Sequence, residues 1–251
     1  MGFAVSADAY DRFMGRFSRP LAAVFADFAG VAGGSALDVG SGTGALTEEL
    51  LARGASVSAI DPSESFVAAM RERFPGAEVA QGRAEALPFD DGRFDAALAQ
   101  LVVHFMADAA AGVGEMARVT RAGGTVTACV WDHATGPLGT FWAAVAALHD
   151  GPGRPPSEAA RVGSHRGDLE RLLVGAGLGD VREAPIAVRV RFGSFDQWWA
   201  PFELGVGPAG DHVAGLDGAG RERLRLACRD RLPDPPFEVE ATAWSARGIR
   251  P

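Results

Sequence analysis

The chain has 251 residues, 47% of them hydrophobic and 22% charged, a balance that suits one large folded domain and speaks against wholesale disorder. All 24 basic residues are arginine, and neither lysine nor asparagine occurs. Schiff-base enzymes, a pyridoxal-phosphate anchor and a phosphate loop ending in Gly-Lys-Ser/Thr are therefore excluded, and a formal net charge of −8 argues against nucleic acid as a partner.

Tyr10, Phe13, Met14 and Phe17, then Leu21, Val24, Phe25 and Phe28 after Pro20, recur at helical spacing until Gly30. Two amphipathic helices are expected to open the chain. Charged residues in this stretch leave no room for a secretory signal. The longest uncharged run, residues 133–149, contains Gly136, Pro137 and Gly139, which a membrane span rarely accepts. With Cys129 and Cys228 read as buried thiols, the expectation is a cytoplasmic protein with no membrane association.

A strand at 35–39 runs into closely spaced glycines and a helix closed by Gly54. A strand follows at 55–60, then a helix at 66–74, short strands near 78–81 and 94–101, and a helix at 109–120 capped by Gly123-Gly124. A Val/Thr-rich strand occupies 125–131. This alternation predicts an α/β fold with a Rossmann-like, doubly wound sheet. Beyond it come a helix at 141–149, a Pro-rich loop at 151–156, a helix at 169–174, a strand at 181–192, a helical insertion at 194–232 and a last strand at 237–246. No His/Cys spacing suggests a metal site.

The strongest chemical signal is Leu37-Asp38-Val39-Gly40-Ser41-Gly42-Thr43-Gly44, with Asp61 at the end of the next strand, 21 residues after Gly40. Glycines let the backbone approach a ligand, the helix N-terminus offers N–H groups, and an acid beyond strand two can accept from both ribose hydroxyls. A nucleoside site is expected. Its glycines at 40, 42 and 44 depart from the usual dinucleotide spacing.

This stretch, together with Ala59-Ile60-Asp61-Pro62-Ser63, residues 82–95 with Phe94-Asp95, and Glu115-Met116-Ala117-Arg118-Val119, resembles the class I S-adenosylmethionine-dependent methyltransferases. The likeness is to their small-molecule, ubiquinone-type branch, and it covers residues 8–132. It implies a seven-stranded sheet with an antiparallel last strand and a helical cap insertion. One methyltransferase domain is expected over 1–251: an N-terminal cover at 1–30, a cofactor core at 31–132, helices and the sixth strand at 133–193, the cap at 194–236 and the last strand at 237–251.

The implied cofactor is S-adenosyl-L-methionine, with S-adenosyl-L-homocysteine as product. The resemblance places Asp38, Gly40, Ser41, Gly42 and Gly44 along its methionine and ribose, and Asp61, Pro62 and Ser63 at the ribose. Ala84 and Glu85 fall beside the adenine, Gln100 near the sulfonium, and Tyr10 and Arg16 on a covering helix. Where the family often has Asp after the adenine-motif glycine, this chain has Arg83, which cannot accept a hydrogen bond. Either Glu85 takes that acceptor role or the contact falls to the Ala84 backbone and water.

A small-molecule acceptor is expected at the ligand edge of the sheet, with His104, His133 and Asp132 as candidate bases after strands four and five and Trp131, Trp198, Trp199 and Phe202 as an aromatic pocket wall. Gly205 to Gly220 suggests a mobile cover. Two alternatives stay open: a protein that binds S-adenosylmethionine without methylating, such as a cyclase or regulator, and an NAD-dependent oxidoreductase on the similar half-fold. Acceptor, methylated atom and oligomeric state are not legible.

Overall fold

The computed structural model describes residues 7–149, 151 and 160–251. Its frame is a seven-stranded sheet made of β1 (Ser35–Val39), β2 (Ser56–Asp61), β3 (Glu78–Gln81), β4 (Phe94–Gln100), β5 (Thr120–Trp131), β6 (Gly179–Phe192) and β7 (Phe237–Ile249). They lie in the order β3-β2-β1-β4-β5-β7-β6. The first five pair in parallel, whereas β7 is antiparallel to both β5 and β6. The sequence order reverses at β1, whose neighbours are β2 and β4, and ligands of open α/β sheets bind outside the strand ends at such a switch point.

Parallel strands need crossover helices, so both faces are covered and the strands read as apolar runs rather than alternating ones. One face buries Ala36, Leu98 and Cys129 against Leu21 and Phe25 of α2 (Arg16–Ala29) and Leu50 of α3 (Ala45–Ala52). On the other, Leu37, Ala97, Val126 and Val130 meet Val113 and Met116 of α5 (Ala109–Val119) and Leu169 and Leu173 of α7 (Asp168–Gly175). On the first face, toward the β3 edge, α4 (Glu64–Arg73) sets Val67 and Met70 on Ala59 and Val79. The switch from one face to the other between adjacent positions 36 and 37, or 97 and 98, is the strand period of two.

Two expectations change. The N-terminal helices join into one helical stretch, α1 (Ala7–Tyr10) passing through a π-helical turn (Asp11–Gly15) directly into α2, which carries Pro20 inside it. Pro20 lacks the N–H that would donate to the Arg16 carbonyl four residues earlier. Gly123 and Gly124 do not cap α5. That helix ends at Val119 and β5 begins at Thr120. Phe94 pairs with Thr120 and Ala96 with Thr125, so residues 121–124 bulge out of the ladder. A Cβ on Gly124 would lie 2.7 Å from the Asp95 carbonyl oxygen, so the bulge tolerates only glycine there.

The chain between β5 and β6 holds α6 (Gly139–Ala147) and α7; the Pro-rich loop expected at 151–156 lies outside the described residues apart from Gly151. Between β6 and β7 runs the helical cap: α8 (Phe195–Trp199), a 3-10 turn (Ala200–Leu204), α9 (Gly207–Ala214) and α10 (Gly218–Arg229). The glycine-rich stretch expected as a loose cover is thus mainly helical, with Gly210 packed so closely on Gly205 that a Cβ would lie 2.5 Å from its carbonyl carbon.

Candidate active site

The glycine loop is shaped by backbone angles that side chains resist. Gly40, Gly42 and Gly44 all have positive φ, at 69°, 54° and 90°. The turn is pinned to β2 by the Gly40 and Ser41 N–H groups, both donating to the Ile60 carbonyl at 2.7 and 3.1 Å. Only Gly42 faces open space, with no atom within 4 Å of a Cβ built on it, whereas a Cβ on Gly40 would lie 2.5 Å from both Val102 methyls. A Cβ on Gly44 would strike Met70 and Phe74, so its glycine serves the packing of the loop on α4.

Asp61 ends β2 and closes the loop from the other side. Its Oδ2 accepts from Gly42 N–H at 2.9 Å and its Oδ1 from Ser63 N–H at 2.8 Å. Burial raises its pKa, and the two backbone donors act against that rise. Two carboxylate oxygens carry about four acceptor sites, so two N–H groups leave capacity for two further hydroxyl donors.

These residues line a cavity of about 380 Å3 whose wall also includes Tyr10, Pro62, Ser63, Phe66, Gly82, Arg83, Ala84, Glu85, Gln100, Leu101, Val102, Phe105 and Met106. Gln100 donates to the Ser18 carbonyl at 2.9 Å, while its Oε1 is buried without a partner. Glu85 accepts from Ala107 N–H at 2.7 Å. Burial opposes its charge, but backbone donors and Arg83 outweigh that and lower its pKa. Arg83, two residues earlier in the chain, reaches Glu85 at 3.7 Å.

A second, smaller chamber of about 90 Å3 abuts the first and shares Tyr10, Leu101 and Phe105 with it. Leu101 sits there with φ of 64°, a left-handed backbone that costs a branched residue about 1–3 kcal/mol and is often found at functional sites. The chamber gathers His104, Trp131, Asp132 and His133 with Phe13, Met14, Trp142, Arg161, Ser164 and, from the cap, Val206, Gly207 and Pro208. Tyr10 is the chain's one tyrosine; burial, then the nearby Asp61 and Asp11 charges, push its hydroxyl up to about 12.

Several expected site residues stand elsewhere or do other work. Asp38 is buried beneath the loop, its Oδ2 accepting from Thr47 Oγ1 at 2.7 Å. Burial, reinforced by Asp61, pushes it up to about 7 against the Thr47 hydrogen bonds. It is absent from the cavity wall, as are Ser41, whose Oγ is buried without a partner, and Gly44. Arg16 donates to the Gln197 carbonyl at 2.8 Å and lies over the Phe192 ring, which ties α2 to the cap and takes it out of the cofactor cavity.

Trp198, Trp199 and Phe202 form no wall of either large cavity. Each is 2–3% exposed, and Phe202 stacks on Phe141 at 4.7 Å and meets Phe13 edge-on at 5.4 Å. They are the apolar filling that seats the cap on the N-terminal helix. Of the expected aromatic wall, Trp131 alone lines the chamber.

The candidate bases reach the chamber but with altered chemistry. Burial, and then the Arg161 charge, bring His104 down to about 3, so it stays neutral near pH 7 and is a weak proton acceptor. Asp132 Oδ1 accepts from Ala134 N–H, Thr135 N–H and Thr135 Oγ1, and its Oδ2 from Trp244 Nε1 at 2.8 Å. Burial raises its pKa less than these donors lower it, so it shapes the turn after β5. His133 lines the chamber and has an interaction of its own. Phe66, Gly82, Leu101, Phe105 and Arg161 were not singled out from the sequence; only Gly82, inside a recognised motif, carried a signal.

A switch-point glycine loop with an acid at the end of the adjacent strand is the arrangement by which doubly wound α/β sheets bind a nucleotide. Residues 37–128 match the family model described as a methyltransferase domain, and they form a class I, S-adenosylmethionine-dependent methyltransferase domain. An uncharacterized methyltransferase of Mycobacterium tuberculosis is 40% identical over 96 residues, 38% of this chain and 39% of that one. A demethylmenaquinone methyltransferase of Mycolicibacterium gilvum is 43% identical over 103 residues, 41% of this chain and 44% of that one. The match thus spans about two fifths of these relatives' length. Among solved structures, the YcgJ protein of Bacillus subtilis has a TM-score of 0.59 at 17% identity, covering 93% of this chain and 97% of that one. A Haemonchus contortus N-methyltransferase solved with phosphomonomethylethanolamine and S-adenosylhomocysteine scores 0.59 at 15% identity, covering 99% and 61%. At these identities the structures share the fold.

The cavity fits that family's cofactor. Gly42 leaves a cradle that any Cβ would intrude upon, Asp61 keeps acceptor capacity, and Gln100 offers a buried acceptor without a partner.

Proposed function

We propose that this chain transfers a methyl group from S-adenosylmethionine to a small-molecule acceptor seated in the chamber. The observation that carries this reading is the adjacency of the two spaces: a cavity built on Gly42 and Asp61 shares Tyr10, Leu101 and Phe105 with a mostly apolar chamber. When bound, the cofactor supplies an electrophilic methyl on a positively charged sulfur.

Asp61 would hold the ribose hydroxyls, the Gly40 and Gly42 backbone would admit the ligand closely, and Gly82, Arg83, Ala84 and Glu85 would flank the adenine. Tyr10, Leu101 and Phe105 line both spaces and so stand where cofactor and acceptor would meet. Holding two reactants in line is worth roughly 7–11 kcal/mol, so orientation by these walls can supply much of the acceleration without a strong base.

The whole chain is read as one catalytic unit, with residues 1–30 as cover and 194–236 as cap. No described helix is long and apolar enough to cross a membrane. The buried, unpaired thiols of Cys129 and Cys228 support a reducing, cytoplasmic setting, and the net charge of −8 supports a small molecule over nucleic acid. The test is incubation with S-adenosylmethionine and a panel of small acceptors, reading S-adenosylhomocysteine by mass spectrometry. Acceptor-dependent formation supports the reading; a cofactor that binds but is never turned over across the panel counts against it.

A further inference from the structure

The N-terminal cover is anchored unequally along its length. Its body, α2, is sealed to the sheet: Leu21, Ala22, Phe25 and Ala26 are fully buried, the Ser18 carbonyl accepts from Gln100 Nε2 at 2.9 Å, and Arg16 donates to the Gln197 carbonyl of the cap. The leading end has less to hold it. There α1 is a single four-residue turn, and a helix that short has no stability of its own. The π-helical turn Asp11–Gly15 follows, a form frequent at functional sites. Yet this end sets Tyr10 in the wall of both spaces, its ring 5.6 Å from that of Phe66.

Asp11, the residue after Tyr10, ties that end to the glycine loop. Its Oδ1 accepts from Thr43 Oγ1 and its Oδ2 from Arg19 Nη2 at 2.6 Å, so one carboxylate joins the cover both to itself and to the residue between Gly42 and Gly44. Gly15 leaves it room, since a Cβ there would lie 3.3 Å from Asp11 Oδ1. The loop side of the tie is held by other bonds: Gly42 N–H donates to Asp61, Gly44 N–H to the Ser41 carbonyl at 2.9 Å, and the Thr43 carbonyl accepts from Arg73 at 3.3 Å. Thr43 is buried, which limits competition from water, and a hydrogen bond to an ionised group is roughly twice as strong as a neutral one.

Resting on the methyltransferase reading above, we infer that Asp11 is a positioning residue: through Thr43 it holds Tyr10 against the cofactor cavity and so sets how tightly the cofactor is kept. Neither Asp11 nor Thr43 lines either cavity, so any effect of theirs on the ligand passes through the loop or Tyr10. Where an untied end seats Tyr10 only about a tenth of the time, the apparent affinity falls about tenfold. Such a loss within one site falls mainly on the dissociation rate. Because α2 keeps its own anchors, the rest of the cover stays in place.

The full chain, Asp11→Ala, Thr43→Val, the double variant and Thr43→Ser are titrated calorimetrically with S-adenosylhomocysteine, and release is timed by chasing labelled ligand with unlabelled. Each of Asp11→Ala and Thr43→Val should bind about tenfold more weakly and release faster. The double variant should be no weaker than either single one, since both remove the same hydrogen bond, and Thr43→Ser, which keeps the hydroxyl, should stay within about twofold of the parent. Without ligand, amide hydrogen exchange in Asp11→Ala should quicken over residues 7–15 and match the parent over 21–28. Single variants that bind like the parent, losses that add in the double variant, Thr43→Ser as weak as Thr43→Val, or unchanged exchange over 7–15 would each overturn the proposal. A parent chain that gives no S-adenosylhomocysteine heat would overturn the methyltransferase reading itself, and this proposal with it.

Discussion

Gly42→Ala separates what the glycine loop does for the fold from what it does for the ligand. At φ of 54° an alanine pays the left-handed penalty, about 1–2 kcal/mol. No atom lies within 4 Å of the new Cβ, so no clash adds to it. For a chain of this size the melting temperature should fall by about 2–8 °C. The methyl, however, enters the space where the cofactor must approach. Overpacking by one methyl costs about 1–3 kcal/mol, roughly a 5- to 150-fold weaker Kd for S-adenosylhomocysteine.

Gly40→Ala is the control. It carries the same backbone penalty, but its Cβ would lie 2.5 Å from both Val102 methyls, and a β-branched side chain has little freedom to turn away. Its stability loss should be about 2–5 kcal/mol. Thermal melts and isothermal titration on both variants decide the matter. A folded Gly42→Ala protein that binds S-adenosylhomocysteine within twofold of the parent would refute the cradle.

Asp38, raised to about 7 by burial, holds its proton more tightly folded than unfolded. The stability this contributes is full below pH 4 and is lost as pH rises through 7. Asp38→Asn should therefore be more stable than the parent at pH 8, by at most about 4 kcal/mol at 1.36 kcal/mol per pH unit, with the gap closing toward pH 4 in urea melts. His104, lowered to about 3, gives the opposite sign: stability present above its ordinary pKa of about 6.5 and lost as pH falls toward 3. His104→Gln should flatten that acid limb while leaving the pH profile of turnover between 5 and 8 unchanged in shape; an inflection near 6.5 that the variant abolishes would restore His104 as a base. Trp198→Ala should destabilise the chain by about 3–5 kcal/mol yet leave cofactor affinity unaltered below the melting transition, and a weakened affinity would return the cap tryptophan to the site.

The cofactor half was legible because its signal is local. Strand, glycine turn, helix and the acid of the next strand lie within 27 residues, and each element positions the next without help from distant chain. The same locality misled at Asp38, Ser41 and Gly44, where a motif residue supports the loop from beneath instead of touching the cavity. The acceptor chamber was hard to read because composition does not say which side of a wall an aromatic faces. Trp131 lines it while Trp198, Trp199 and Phe202 fill the core beside it. Arg161 had no motif at all, since its place over Phe105 depends on two segments 56 positions apart.

Titration of the parent chain and of Asp61→Ala with S-adenosylhomocysteine addresses the central claim most directly. The parent should give a saturable one-to-one heat, and the variant, which loses the acceptor for Gly42 N–H, Ser63 N–H and the ribose hydroxyls, should bind at least tenfold more weakly while remaining folded by circular dichroism. An absence of heat with the parent, or equal affinity in the two proteins, would contradict it.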